Sequence, residues 1–223
     1  SGQTQGKIEP VYVQDDKIIC TPFTIEENAL DQKNNNFYVD TQTKKIEALC
    51  NSSLQFETLG KTHESYDGAC ACDTSDFYIL TIHSLTIESP LTCGNCNRTV
   101  PLYKTPAYDD HGYMPILNWE TNYISCDNLQ MNCQVGESWA LDQMQELNSE
   151  LSTQGRNICK KIEELTQIPT YYFLYDYKEY TKDQSSLPCP SCSEAWALKE
   201  QLHDLYDFKC DACRVMSMIS LNS

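Results

Sequence analysis

Apolar and polar positions follow two different periods along the chain, and the change of period predicts where strands give way to helices. Short alternating or apolar runs near the start, Val11–Val13 and Lys17–Cys20, are typical of strands. From Glu137 onward the apolar residues recur at near-helical spacing, which predicts a first helix there and a second from Ser149 to Thr166. The predicted inward side chains of the second helix are Leu151, Ile158, Ile162 and Leu165.

The segments between these two regions carry mixed signals. Thr24–Leu30 predicts a helical turn or a short helix with Thr24 as its N-cap. The aromatic and β-branched run Phe77–Ile82 predicts a buried strand, and Tyr171–Tyr175 predicts another. Residues 97–135 are rich in Pro, Tyr, Asp and Asn and show no sustained period, so we expect them to be irregular.

A polar stretch at residues 178–188 predicts a linker between two domains. We expect residues 1–180 to form a mixed α+β domain and residues 187–223 to form a small all-β module. The strands predicted in this module are Ala195–Leu198, Tyr206–Lys209 and Val215–Ile219. The predicted fold class is therefore α+β.

Composition places the chain among ordered, globular proteins. Its 223 residues are 40% hydrophobic and 22% charged, so the chain is long enough and apolar enough to bury a core. No run approaches the roughly 18 consecutive apolar residues that a membrane helix needs. The start of the chain also lacks the basic-then-apolar layout of a signal peptide. We therefore expect no membrane association.

Thirteen cysteines are present, and eight of them form four close pairs. Neighbouring thiolates can converge on one ion, whereas such short spacings would strain a disulfide ring, so the pairs favour metal sites. This use of cysteine predicts a reducing, cytoplasmic location. The pairs are Cys70/Cys72, Cys93/Cys96, Cys189/Cys192 and Cys210/Cys213.

The last two pairs are both of the form C-x2-C and are separated by seventeen residues, which is the spacing of a zinc ribbon. A redox dithiol is the alternative, but thioredoxin-like motifs use one pair at a helix start rather than two facing pairs. Because four thiolates leave no position for a bound water, we expect a structural rather than a catalytic zinc. The predicted ligands are Cys189, Cys192, Cys210 and Cys213.

The first two pairs form a second candidate site, in which a C-x-C pair and a C-x2-C pair flank a predicted strand. Zinc is the first expectation here, and an iron–sulfur cluster is the alternative for four thiolates. The ligands of this site are Cys70, Cys72, Cys93 and Cys96. Most of the unpaired cysteines are expected to be buried apolar thiols, with a further site at Cys126 and Cys133 as the alternative. These unpaired residues are Cys20, Cys50, Cys126, Cys133 and Cys159.

None of the four histidines stands in a metalloprotease-like array, so each is expected at the surface or as a satisfied core residue. His203 lies between the last two cysteine pairs and is predicted to hydrogen-bond a cysteine sulfur. The others are His63, His83 and His111. No nucleophile elbow, P-loop or dinucleotide-binding motif occurs, so no catalytic residue is predicted and we expect a non-catalytic protein.

A set of sequence blocks lies within residues 58–220. The blocks are Ser89–Cys96, Val100–Tyr103, Gly155–Ile162, Ile168–Leu174, Cys189–Cys192 and Asp207–Arg214. Together they resemble an uncharacterised bacterial family that is described as containing a zinc ribbon and is proposed to bind nucleic acids. The resemblance implies a bacterial, cytoplasmic, zinc-binding protein and supplies no catalytic residue. The chain departs from the common ribbon pattern at Ser193, where glycine is frequent.

Charge ranks the partners that these features allow. The formal net charge is −16, and a strongly acidic chain is repelled by phosphate backbones. Arg156, Lys160 and Lys161 form a small basic cluster on one predicted helix, so nucleic-acid binding is the second expectation. A protein partner on an aromatic edge of the ribbon is the first expectation, and an enzyme of unassigned substrate is the third. The residues expected on that edge are Trp196, Tyr206 and Phe208.

Overall fold

The computed structural model describes residues 2–5, 11–61, 68–82, 89–110, 112–132, 134–176 and 187–219. Ten strands and four α-helices occur in these ranges, which confirms the α+β class. The strands are β1 (Thr4–Gln5), β2 (Val11–Gln14), β3 (Lys17–Cys20), β4 (Phe23–Thr24), β5 (Tyr78–Leu80), β6 (Leu91–Cys93), β7 (Thr170–Phe173), β8 (Ala197–Leu202), β9 (Tyr206–Cys210) and β10 (Val215–Ser217). The helices are α1 (Phe37–Cys50), α2 (Met114–Met131), α3 (Glu137–Gln145) and α4 (Glu150–Thr166).

Six of the strands form one mixed sheet in the order β6-β5-β7-β10-β9-β8. In this sheet β7 pairs in parallel with β5 on one side and with β10 on the other. Since β5 belongs to the predicted first domain and β10 to the predicted ribbon, one sheet contains strands from both. The division into two domains stays a prediction, and most of its linker, residues 177–186, lies outside the described residues.

Helices α2, α3 and α4 enclose the main hydrophobic core together with one face of the sheet. Trp119 on α2 is fully buried, and its indole Nε1 donates a hydrogen bond to the Leu151 carbonyl oxygen at 3.1 Å. Gly155 lets α4 approach the sheet closely, because a Cβ at this position would lie 2.3 Å from Cε2 of Tyr172. The spacing between helix and sheet therefore depends on the missing side chain.

The other face of the sheet carries a smaller hydrophobic cluster, which consists of Ile79, Tyr171, Tyr206 and Met216. The tip of the β8–β9 hairpin reaches this face, because Leu202 and Leu205 pack against the cluster. The Tyr206 ring also lies 5.7 Å from the Phe173 ring, measured between centroids. The central strands thus bury side chains on both faces, which explains why they contain continuous apolar runs rather than alternating ones.

Most elements predicted from periodicity are confirmed. The two runs near the start pair as the β2–β3 hairpin, and the two predicted helices correspond to α3 and α4. The strands predicted at residues 77–82 and 171–175 and in the ribbon correspond to β5, β7, β8, β9 and β10, with shifted ends. On α4, Leu151, Ile158 and Ile162 are buried and Leu165 is half-buried.

Two predictions about local structure are wrong. Residues 97–135 contain α2, and Pro115 lies in its first turn, where the missing N–H does not break the helix. The inward positions of α2 have helical spacing, but they mix apolar, aromatic, thiol and amide groups, which obscured the period. These positions are Ile116, Trp119, Tyr123, Cys126 and Gln130. Thr24 lies in β4 rather than at a helix N-cap.

The N-terminal elements expose apolar side chains. Helix α1 has no counterpart among the predicted elements, although Asn36 caps it by accepting a hydrogen bond from the Val39 amide at 3.0 Å. None of the described α1 side chains is buried. In the β2–β3 hairpin Val13 pairs with Ile18, and the two residues are 73% and 67% exposed. Among the described helices, none combines the length and the apolar character needed to cross a bilayer.

Gly155→Ala should destabilise the fold. The added methyl group would overlap the Tyr172 ring, and overpacking of a core costs about 1–3 kcal/mol. Chemical denaturation measures the free energy of unfolding. Asn157→Ala, at an exposed position of the same helix, is the control and should change stability by less than about 0.5 kcal/mol. Equal stability of the two variants would contradict the close packing of α4 on the sheet.

Candidate metal centres

Four sulfur atoms converge where β6 ends, and we call this group the first tetrad. It consists of Cys70, Cys72, Cys93 and Cys96, and the four Sγ atoms lie within 4.8 Å of one another. Cys93 is the last residue of β6, and the Cys70 amide donates a hydrogen bond to the Thr99 carbonyl oxygen at 2.8 Å. The Sγ atoms of Cys70 and Cys96 are 3.5 Å apart. Backbone pairing therefore brings the C-x-C and C-x2-C segments together.

The turn from Cys93 to Cys96 is held by backbone contacts on both sides. The Asn97 amide donates a hydrogen bond to the Cys93 carbonyl oxygen at 2.9 Å, and the Gly94 amide donates to the Phe77 carbonyl oxygen at 2.8 Å. The Phe77 ring occupies the space beside Gly94, so that a Cβ there would lie 2.3 Å from Cε2 of the ring. Glycine at this position therefore allows an aromatic ring to cover the turn.

Hydrogen bonds to sulfur and burial give the thiols of the first tetrad different pKa values. Burial acts to raise the pKa of Cys93, but the pKa falls to about 7 because Ser75 and the amides of Asn95 and Cys96 donate to its sulfur. The Ser75 Oγ atom lies 2.9 Å from this sulfur. Burial raises the pKa of Cys70. Cys93 therefore presents a thiolate more readily than Cys70, and a divalent cation would deprotonate the other members as well.

A second group of four sulfur atoms, the second tetrad, lies at the end of β9. Its members are Cys189, Cys192, Cys210 and Cys213, whose Sγ atoms lie within 4.8 Å of one another. The Sγ atoms of Cys192 and Cys210 are 3.7 Å apart. Ser193 has a left-handed φ of 65°, a conformation that glycine adopts freely, so the turn after Cys192 forms with serine in place of glycine.

Backbone donors and burial also act on the second tetrad. A hydrogen bond from the Glu194 amide lowers the pKa of Cys192, whereas burial raises the pKa of Cys210 to about 12. Beside the tetrad, Arg214 donates through Nε to the Glu163 carboxylate at 2.9 Å, and this hydrogen bond lowers the pKa of Glu163. Because Glu163 lies on α4, the cysteine turn is tied to the helix layer.

The two tetrads lie at the same end of the sheet, on either side of β7. Cys93 pairs with Tyr78, and Tyr78 pairs in turn with Thr170 at the start of β7. On the other side, Cys210 pairs with Val215 at the start of β10, the parallel neighbour of β7. Strand register therefore sets the positions of both cysteine clusters relative to one another.

Both tetrads fit a tetrahedral metal ion. A Zn–S bond of about 2.3 Å places two sulfur ligands about 3.8 Å apart. This value is close to the sulfur separations of 3.5 and 3.7 Å found in the two tetrads. The structure thus brings together the eight cysteines that their spacing grouped in the sequence, and each tetrad could hold a metal ion. Four thiolates suit a soft or borderline metal such as zinc or iron.

The remaining cysteines divide between core and surface. Cys126 and Cys159 are buried in the main core, as expected, and burial raises the pKa of both thiols. Cys20 and Cys50 are instead exposed. Cys133 lies outside the described residues, and so does any site that it would form with Cys126.

His203 makes a different contact from the one predicted. Its Nε2 donates a hydrogen bond to the Gly94 carbonyl oxygen at 2.7 Å rather than to a sulfur. Gly94 lies in the Cys93–Cys96 turn of the first tetrad, although His203 lies in the hairpin that ends at the second tetrad. No local pattern could signal this contact, because the two residues are 109 positions apart. The histidines at 63, 83 and 111 lie outside the described residues.

The aromatic residues predicted to face a partner are buried. Trp196, Tyr206 and Phe208 are 7%, 1% and 2% exposed. The Trp196 and Phe208 rings stack with centroids 4.9 Å apart, and the Trp196 indole donates to the Leu187 carbonyl oxygen at 3.1 Å. The prediction of a docking edge formed by these rings is therefore wrong, because Trp196 and Phe208 belong to the main hydrophobic core and Tyr206 belongs to the cluster on the other face of the sheet.

The basic cluster predicted for nucleic acid lies on α4, but its three side chains have different surroundings. Arg156 is half-buried, whereas Lys160 is exposed. Lys161 is half-buried, and its Nζ lies 3.9 Å from a carboxylate oxygen of Glu164. The three cations thus do not form a uniformly exposed basic patch.

Three family models match successive parts of the chain. Residues 72–175 match a domain of unknown function, DUF2310. Residues 1–60 match a second domain of unknown function, DUF8589, and residues 178–223 match a third, DUF8594. No solved structure matches the chain. The first tetrad therefore lies largely in the DUF2310 region, and the second lies in the DUF8594 region.

Two uncharacterised proteins of Haemophilus influenzae are similar to the chain. One is 32% identical over 231 residues, which cover all of this chain and 87% of the relative. The other is 39% identical over 135 residues, which cover 60% of this chain and 66% of the relative. Since the first similarity extends over the whole sequence, the chain belongs to the uncharacterised bacterial family of which this Haemophilus influenzae protein is a member.

Proposed function

We propose that the protein is a zinc-binding, non-catalytic interaction protein of the bacterial cytoplasm, with one Zn2+ in each tetrad. The observation that carries this proposal is the convergence of eight cysteine sulfur atoms into two groups, each within 4.8 Å. Four thiolates complete a tetrahedral coordination and leave no position for water or substrate, which is the arrangement of structural zinc. Zinc would then contribute folding free energy rather than a reaction step.

Charge favours a protein over a nucleic acid as the partner. The chain has a formal net charge of −16, and each zinc–tetrathiolate centre would add about −2. Near the second tetrad, Arg214 is paired with Glu163, and Lys209 is paired with Asp211. Cations that are already paired displace few counterions from a phosphate backbone, so they add little nucleic-acid affinity.

The β2–β3 hairpin offers an apolar face for a protein partner. Val13 lies directly opposite Ile18, and Val11 lies two positions along the same strand, so the three side chains share one face. They are 73%, 67% and 65% exposed, in that order. A two-stranded hairpin alone is marginally stable in water, and contiguous exposed apolar groups mark interaction sites. We place the partner on this face.

Protein purified without added metal should contain about two zinc ions per chain, as measured by elemental analysis. Cys72→Ser and Cys192→Ser should each lower the content by one ion, because each variant removes a ligand from a different tetrad. Cys50→Ser, at an exposed cysteine outside both tetrads, is the control and should keep both ions. One zinc per wild-type chain would contradict the two-site proposal, and bound iron with visible absorption would assign a cluster instead.

A mixed pool of single-stranded and double-stranded nucleic acid, titrated at low salt, should bind no more tightly than micromolar. The reason is the repulsion between an acidic chain and the phosphate backbone. Fluorescence anisotropy measures the affinity. Tighter binding that weakens steeply with added salt would make nucleic acid, rather than protein, the favoured partner. The variant Lys160→Glu would then show whether helix α4 forms the nucleic-acid-binding surface.

The double variant Val13→Asp, Ile18→Asp should lose a protein partner while it keeps its zinc content. Two carboxylates on the apolar face would have to be desolvated on binding, which opposes association. Cross-linking in cells followed by mass spectrometry identifies the partner. Gln14→Asp places a charge on the opposite face of the same hairpin and serves as the matched control. Recovery of the same partner with all three proteins would exclude this face.

A further inference from the structure

The β8–β9 hairpin begins and ends at the second tetrad. Cys192 precedes the hairpin, and Cys210 is its last residue. The Lys209 amide donates a hydrogen bond to the Trp196 carbonyl oxygen at 2.8 Å, which closes the base of the hairpin beside the sulfur atoms. A metal ion in the second tetrad would therefore fix both strands of the hairpin at their base.

The tip of the same hairpin contacts the backbone turn that carries Cys93 and Cys96 of the first tetrad. His203 and Asp204 both have left-handed φ values, of 56° and 54°, and form the turn. The His203 Nε2 atom donates to the Gly94 carbonyl oxygen at 2.7 Å, and the Tyr206 hydroxyl donates to Asn97 Oδ1 at 3.4 Å. Gly94 lies within the Cys93–Cys96 turn, and Asn97 follows that turn. The hairpin therefore contacts the Cys93–Cys96 turn and the residue after it at two points.

A third contact joins the base of the hairpin to Phe77, the aromatic residue that packs beside the Cys93–Cys96 turn. Lys209, the residue before Cys210, places its Nζ 5.0 Å from the centroid of the Phe77 ring. Phe77 in turn covers Gly94 and accepts the Gly94 amide hydrogen bond at 2.8 Å. Lys209, which precedes Cys210 of the second tetrad, is thus connected through Phe77 to the Cys93–Cys96 turn of the first tetrad.

We propose that His203 is a positioning residue of the first tetrad and that the hairpin couples the two metal sites, so that zinc in the second tetrad raises the zinc affinity of the first. This inference rests on the proposed function, in which both tetrads bind zinc. The hydrogen bond from His203 adds a contact from the hairpin tip to the backbone contacts that already hold the Cys93–Cys96 turn, and it fixes the Gly94 carbonyl between the two ligands of that turn. Coupling between two binding sites is reciprocal, so the first site strengthens the second by the same factor.

The hydrogen bond between His203 and Gly94 should have a measurable effect on zinc binding at the first tetrad. His203 and Gly94 are 109 positions apart, so the contact exists only when the C-terminal hairpin is folded. Loss of one intramolecular hydrogen bond corresponds to about a fivefold change in an equilibrium constant. His203→Ala should therefore weaken zinc binding at the first tetrad about fivefold while the second tetrad is intact.

The test is a double-mutant cycle on the full chain, with zinc affinity measured by competition with a chelator of known affinity. The four proteins are wild type, His203→Ala, Cys192→Ser and the double variant. Cys192→Ser disables the second tetrad, so the affinity that remains belongs to the first tetrad, and Cys72→Ser assigns the second site in the same way. We expect the His203→Ala effect to be about fivefold with the second tetrad intact and close to zero without it.

Two further variants separate positioning from a general loss of structure. Asp204→Ala changes the exposed neighbour in the same left-handed turn and should leave the first-site affinity unchanged. His203→Gln keeps an N–H donor and should restore most of the affinity. The d–d absorption of Co2+ bound in place of Zn2+ reports the geometry of the sulfur ligands, and His203→Ala should change the spectrum of the first site alone.

The outcomes distinguish this inference from the proposed function. Wild-type protein that binds fewer than two zinc ions would remove the proposed function itself. Two bound ions with a His203→Ala effect that is absent, or equal with and without the second tetrad, would overturn the coupling alone. An Asp204→Ala variant that weakens the first site as much as His203→Ala would overturn the positioning role.

Discussion

Repulsion between closely spaced thiolates is the constraint that the fold creates when it brings four cysteines together at each of two places. Four sulfur atoms within 4.8 Å of one another cannot all carry a negative charge in a protein interior, because each charge raises the pKa of its neighbours. Ser75 and two amides compensate part of this effect at Cys93. A cation among the four sulfurs would remove the remaining repulsion and make each cluster a source of stability rather than of strain.

Cysteines of both clusters contribute to one hydrophobic core. Cys93, Cys189 and Cys210 are buried in the same hydrophobic cluster as Trp119. The parallel pairing of β7 with both β5 and β10 places the clusters at one end of a common sheet. A metal ion held by either tetrad would therefore stabilise the packing of the helices as well as the cysteine turns themselves.

The features that could be predicted from the sequence are those that depend on residues close together in the chain. The cysteine pairs could be grouped because C-x-C and C-x2-C turns are local, and α4 could be found because its inward residues repeat with a helical period. Helix α2 was missed because Tyr123, Cys126 and Gln130 occupy its inward face and are not strongly apolar. The burial of Trp196 and the contact of His203 with Gly94 depend on segments far apart in the chain, so no local pattern contains them.

The order of strands in the sheet has a consequence for synthesis on the ribosome. β10 lies between β7 and β9, so β7 lacks one of its neighbours until residues 215–217 have left the exit tunnel. By then β5, β6 and all four helices have already been translated. From the translation of β7 until β10 has emerged, the nascent chain therefore carries an apolar strand with an open hydrogen-bonding edge, to which a strand of another chain can pair.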